Sequence, residues 1–235
     1  GVFGGKDVAS DFIQDIGKLG IAIGGEALKS GRNALGVVGL VGTIRLLMNS
    51  FTDENGAGFL IPVDSFTSFF GSSDQNRKRS DLLAVQLKLP SNGTTQLEIY
   101  VCGVESKYVS GTFNRTKAIN ALNQAKASFD DFSELVKLSL EEGGMPERLG
   151  LLSILKFGLR ISSPSERGKI GIWTRKEQQI FEAILQGNYI FKDSKNEAVV
   201  VSTEKKLPGP PDYKSLTEGV WIRINTEHWP RVVDT

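Results

Sequence analysis

One cysteine and one histidine are all that these 235 residues offer to sulfur or imidazole chemistry. Cys102 has no partner for an intrachain disulfide, and no thiolate zinc site can be built around it. His228 has no obvious nucleophile beside it, which argues against Ser-His-Asp or Cys-His catalysis. A catalytic metal would have to be held mainly by oxygen ligands, favouring magnesium, manganese or calcium over zinc. Charge of one sign is lacking too: 28 basic residues stand against 27 acidic ones, for a net charge of +1. Bulk charge therefore does not announce a nucleic-acid binder, although a local basic patch is compatible with it. No apolar run reaches the roughly 18 residues of a membrane span, and no signal-peptide pattern is evident. The expectation is no membrane association and a cytoplasmic location.

What is present is an ordinary globular share of apolar residues, 40%. Residues 7–30 carry apolar positions at helical spacing, punctuated by glycines, and predict one or two short helices. Residues 33–49 predict the next helix, with Asn33 as its cap. "FLIPVD" reads as a short strand in which Pro62 argues for an edge or an end. "DLLAVQLKL" (81–89) and "TQLEIYVCGVESKYV" (95–109) are the clearest strands, and the Asn-Gly of "PSNGT" between them signals an antiparallel hairpin. A long amphipathic helix over 114–142 follows, stopped by Gly143-Gly144, and then a second over about 146–159. After the connector "ISSPSERGK", one helix and the strands "NYIFKD", "EAVVVST" and "GVWIRIN" make a small α+β unit. It either docks on the first half or extends its sheet.

Strand side chains alternate, so Glu105 and Lys107 share a face with Gly103, Val101 and Ile99. Asp81 opens the partner strand and the hairpin brings it beside them. Two carboxylates repel unless a cation bridges them, and hard oxygens suit Mg²⁺ or Mn²⁺. Lys107 could then orient or deprotonate a water, or stabilise charge on a transferring phosphate. A surface ion pair on an edge strand, with Asp81 as a strand-start cap, would give the same pattern.

Asp81 in "RSDLLAV", followed by Glu105-Ser106-Lys107 and the long helix, resembles the PD-(D/E)XK nuclease superfamily over roughly residues 34–142. That resemblance implies a restriction-endonuclease-like α/β core, a mixed central sheet flanked by helices, and Mg²⁺ (or Mn²⁺) held by Asp81, Glu105 and the backbone carbonyl of Ser106. Catalysis would rest on Asp81, Glu105 and Lys107. Gln124 lies where some members place a glutamine near the site. Some members also carry an acid on the first helix, where this sequence offers only Glu26 just upstream. Asp64 could be an accessory acid or a turn residue. Arg77, Lys78 and Arg79 could contact DNA phosphates or form a solvated loop. Trp173, Trp221 and Trp229 could stack on bases or belong to the core.

Several segments, among them "GFLIPVD", "EIYVCGVESKYVSG" and "GVWIRINTEHWPR", look like the C-terminal nuclease region of bacterial phosphorothioation-dependent restriction proteins with DNA-translocase-like motors. No G-x-x-x-x-G-K-[ST] pattern occurs here, so an ATPase or helicase motor would lie upstream or on a partner. The opening "GVFGGKDVASDF", without an initiator Met, reads as the continuation of a larger chain or as a processed end. The expected organisation is an N-terminal helical segment (1–32), a nuclease-like core (33–160) and a C-terminal α+β subdomain (165–235). The function expected is a metal-dependent DNA endonuclease within a larger restriction or anti-phage ATPase. The rivals are a non-catalytic nuclease-fold module that binds DNA or docks a subunit, and a structural region that assembles a larger ATPase.

Overall fold

A seven-stranded mixed sheet organises the chain. The computed structural model describes residues 34–48, 56–69, 78–90, 95–111, 113–162, 170–192, 194, 196–205, 207 and 210–225. The helices expected over 7–30 lie outside them. In chain order the elements are α1 (Ala34–Met48), β1 (Gly56–Pro62), a 3₁₀ turn (Val63–Phe69), β2 (Leu82–Lys88), β3 (Leu97–Val109), α2 (Arg115–Leu140), α3 (Met145–Ser162), α4 (Ile170–Gln186), β4 (Tyr189–Lys192), β5 (Ala198–Glu204), β6 (Asp212–Leu216) and β7 (Gly219–Asn225). Among the described residues, seven strands of one mixed sheet with four α-helices make an α/β architecture. Among the described residues no helix is long and apolar enough to cross a membrane.

The strand order is β1-β2-β3-β5-β7-β6. Strands β1, β2 and β3 form an antiparallel meander, with Leu82 opposite Val104 and Lys88 opposite Glu98. On its other edge β3 is joined by two parallel strands in succession, β4 against Leu97–Tyr100 and β5 against Gly103–Val109. The short break between them is tied back to β3 by the Gly103 amide, which donates to the Glu197 carbonyl at 2.9 Å. Of the two placements open for the C-terminal strands, the topology shows extension of the first sheet. Strand β1 lies at the sheet edge and ends on Pro62, where a missing N–H costs no ladder bond.

Strand β6, "DYKSL", lies between "EAVVVST" and "GVWIRIN", where the sequence reading names no strand. Three of its five residues are exposed, and among the described residues it pairs only with β7. An edge strand with that exposure has no apolar alternation to betray it.

Helix α2 forms because Asn114 caps it, its side chain accepting from the Lys117 amide at 3.0 Å, and because apolar residues recur every three or four positions. Its buried face lays Phe129, Phe132 and Val136, together with α3 residues such as Leu151 and Leu155, over Phe59, Val85 and Ile99. Truncating a fully buried ring such as Phe132 would cost about 3–5 kcal/mol. On the opposite face α1 packs Leu40 and Ile44 against Leu60, Val104, Val201 and Ile222. The sheet is thus sandwiched between α1 and the α2/α3/α4 layer. The end where β2 begins and β3 finishes sits between α1 and α2.

Candidate active site

Asp81 is the residue just before β2, and Glu105, Ser106 and Lys107 lie in the last half of β3. The antiparallel register locks them together from both strands. The Asp81 amide donates to Glu105 Oε2 at 3.1 Å, and the Ser106 amide donates to Asp81 Oδ2 at 2.9 Å. Lys107 Nζ donates to Glu105 Oε1, closing the pair that strand alternation put on one face. The carboxylates of Asp81 and Glu105 share one cleft of about 260 Å³, lined also by Gly36, Ser106, Lys107, Tyr108 and Gln124.

Glu105 is only 1% exposed, whereas Lys107 is 38% exposed. Burial, and then the charge of Asp81, push the Glu105 carboxyl up to about 7. The charge and hydrogen bond of Lys107 and the Asp81 amide oppose that rise. The cleft therefore concentrates negative charge that its one lysine compensates only in part.

Two carboxylates in one cleft are oxygen donors of the kind a hard divalent cation takes, and one of them is held at an unusual proton affinity by its surroundings. Among the described residues no group of three or more acids, histidines or cysteines gathers, so the acids of the site are these two. From α1 it is Gly36 that lines the cleft, and it brings no acid to it. Glu26 lies outside the described residues. Helix α1 also buttresses the site: Thr43 Oγ1 donates to Ser106 Oγ at 3.0 Å, and Gly39 lies against the Tyr108 amide, where a Cβ would come within 3.1 Å.

The segment leading into Asp81 is clamped onto α2. Gln124 Nε2 donates to the Arg79 carbonyl at 2.5 Å, Ser128 Oγ accepts from the Ser80 amide at 2.8 Å, and Arg79 Nε donates to Asp131 Oδ2 at 3.1 Å. The Arg79 side chain is 11% exposed. Its guanidinium is tied to α2 through Asp131 and is largely buried. Lys78 is exposed and lines a second groove beside the cleft. Arg77 lies outside the described residues. Asp64 sits exposed in the 3₁₀ turn and does not line the cleft.

Ser128 and Asp131 were missed by sequence reading. Their signal was available: both are polar residues on the apolar stripe of α2 and both are buried. Gly103 was noted only for its parity, although an interior strand glycine marks close backbone approach. It lies directly under the Ala125 carbonyl of α2. Trp221 is a core residue, its indole N–H donating to Ser202 Oγ at 2.8 Å and its ring packed edge-on against Phe113. Trp173 lies within α4, whereas Trp229 and His228 fall outside the described residues. Cys102, partly buried and near the charge of Glu197, has its thiol pushed up to about 12 by desolvation and then by that charge, and is unsuited to thiolate chemistry.

Comparison of the chain with protein-family models, with curated proteins and with solved structures returns no match. The class defined by fold and site together is an α/β protein with a paired-carboxylate cleft at one end of its sheet.

Proposed function

We propose that the chain is a metal-dependent DNA endonuclease domain with a restriction-endonuclease-like core. The observation that carries this reading is the reciprocal lock of Asp81 with the Glu105–Ser106 segment, closed by Lys107 on Glu105 in the same cleft. The order of elements supports it: one helix, three meandering strands, a long helix and a further strand parallel to β3, with α3, α4 and β4 added before that last strand.

Asp81, Glu105 and the Ser106 carbonyl would hold Mg²⁺ or Mn²⁺, which when bound neutralises phosphoryl charge and acidifies water. Lys107 would orient the attacking water with its ammonium and shield charge that builds on the phosphate. Hydrolysis then joins the water oxygen to phosphorus and breaks one ester P–O bond, the departing oxygen leaving with a proton. Gln124 and the Arg79–Asp131 pair keep the Asp81 backbone where both carboxylates meet. The segment resemblances extend the proposal to a cutting module that works with an ATPase motor on DNA.

A non-catalytic DNA-binding module is the second reading, favoured by the absence of a third acid among the described residues of the cleft. The test is Mg²⁺-dependent cleavage of plasmid DNA by the 235-residue chain and by Asp81→Ala and Lys107→Ala, with folding checked by circular dichroism. Each substitution is expected to abolish cleavage. Undiminished cleavage in both would overturn the assignment, and DNA binding without cleavage by the parent chain would select the second reading.

A further inference from the structure

A second groove, of about 500 Å³, opens beside the acidic cleft and shares Lys107 and Gln124 with it. Its remaining lining is Lys78, Phe113, Lys117, Asn120 and Ala121. Lys78 comes from the strand-leading segment and Lys117 from the first turns of α2, so two ammonium groups reach the groove from different elements. Both are exposed, and neither forms an ion pair with any carboxylate among the described residues. Lys126, Lys192 and Lys214 each lie against a carboxylate, whereas Lys137, Lys156 and Lys205 are, like Lys78 and Lys117, exposed without an ion pair to a described carboxylate. Phe113 and Ala121 are buried and give the groove an apolar floor, while Asn120 adds an exposed amide.

We propose that this groove binds the sugar-phosphate backbone of the DNA strand beside the reacting phosphate, with Lys78 and Lys117 contacting a flanking, non-reacting phosphodiester. The inference rests on the nuclease reading and deepens it by assigning the strand's path. Charge complementarity selects the occupant. A polyanion needs unpaired cations along its track and a neighbouring point where one phosphate meets the metal-binding carboxylates. The two cavities share walls, so adjacent phosphates of one strand can occupy both. Lys78 and Lys117 are positioning residues: they place the strand and do not touch the reacting atoms. The Arg79 clamp serves this arrangement as well, because it anchors the backbone next to Lys78 while its own guanidinium is turned into α2.

The experiment measures fluorescence-polarisation binding of a short labelled DNA duplex and of its single strand to the 235-residue chain in EDTA, across a salt series, so that binding is read without metal or turnover. The double variant Lys78→Ala/Lys117→Ala is expected to bind at least about fivefold more weakly. Its salt slope should be shallower by about 1.8, the share of two phosphate contacts on duplex DNA. Lys137→Ala, an exposed lysine on the far half of α2, is the control for general charge loss and should leave both quantities unchanged. Unchanged affinity and slope in the double variant would overturn the proposal, and so would a loss equalled by Lys137→Ala. Inorganic phosphate displacing DNA as effectively, phosphate for phosphate, as unlabelled DNA would also overturn it in favour of a free-anion site. If the double variant were poorly folded, Lys117→Glu alone should weaken binding further than Lys117→Ala, and equality of the two would overturn the assignment. The outcome is separable from that of the nuclease reading. Groove-dependent binding by a chain that never cleaves sustains this proposal alone, and cleavage with unchanged KM in the double variant sustains the other alone.

Discussion

Gly103 of β3 lies so close beneath Ala125 of α2 that a Cβ built on it would overlap the Ala125 carbonyl oxygen and carbon. The close approach seats the middle of α2 on the strand two residues before Glu105, and so brings Gln124 into the cleft. Because the obstructing atoms are backbone, no rotamer change relieves the overlap. Gly103→Ala is expected to lower unfolding free energy by about 3 kcal/mol in urea titration, and to reduce cleavage more than a surface substitution of equal stability cost.

Breaking the Arg79–Asp131 pair removes an ion pair from a nearly closed site. Asp131→Ala and Arg79→Ala should each destabilise by about 3 kcal/mol. With its side chain tied to Asp131 and 11% exposed, Arg79 is expected to act on Asp81 alone, and Arg79→Ala should leave the salt slope of DNA binding unchanged. A slope shallower by about one unit would mean that it contacts phosphate after all.

The Glu105 carboxyl gives the chain a pH-dependent stability whose sign is fixed. Its folded value of about 7 exceeds the ordinary 4.5, so the folded state binds this proton more tightly than the unfolded state does. Stability from this group is therefore full at low pH and is lost as pH rises from about 4.5 through about 7, by about 3 kcal/mol in total. Urea denaturation at pH 5.5 and pH 8 should show the parent chain losing stability at the higher pH, and Glu105→Gln should flatten that difference. A parent chain that gains stability over the interval would refute it.

Magnesium should reverse that loss. At pH 8, Mg²⁺ at about a hundred times its dissociation constant is expected to stabilise the parent chain by about 2.7 kcal/mol. Asp81→Asn should remove the effect, and EDTA should restore the metal-free denaturation curve. Equal stabilisation of parent and Asp81→Asn would place the cation elsewhere.

The meeting of Asp81, Glu105 and Lys107 was legible because it depends on local rules: strand parity puts Glu105 and Lys107 together, and Asn-Gly between two alternating segments brings Asp81 alongside. The clamp behind Asp81 was not, since it joins residues 79–80 to 124–131 through a helix whose orientation no local rule fixes. A run of three basic residues looks like a phosphate grip in one dimension. In three, Arg79 turns inward while Lys78 stays outside. Strand β6 escaped notice for a different reason, as its side chains face water and leave no hydrophobic period. Mixed pairing on the far edge of β3 was open too, since parallel partners are chosen by tertiary packing and not by a turn.

That far edge has a consequence for when the cleft comes into being. The parallel partner of Glu105 is Val200, and that of Lys107 is Ser202. During synthesis, β1, β2, β3 and the first long helix emerge well before these residues do. Strand β5 therefore completes the sheet beside Glu105 and Lys107 only after both of these residues, Asp81 and α2 have been made.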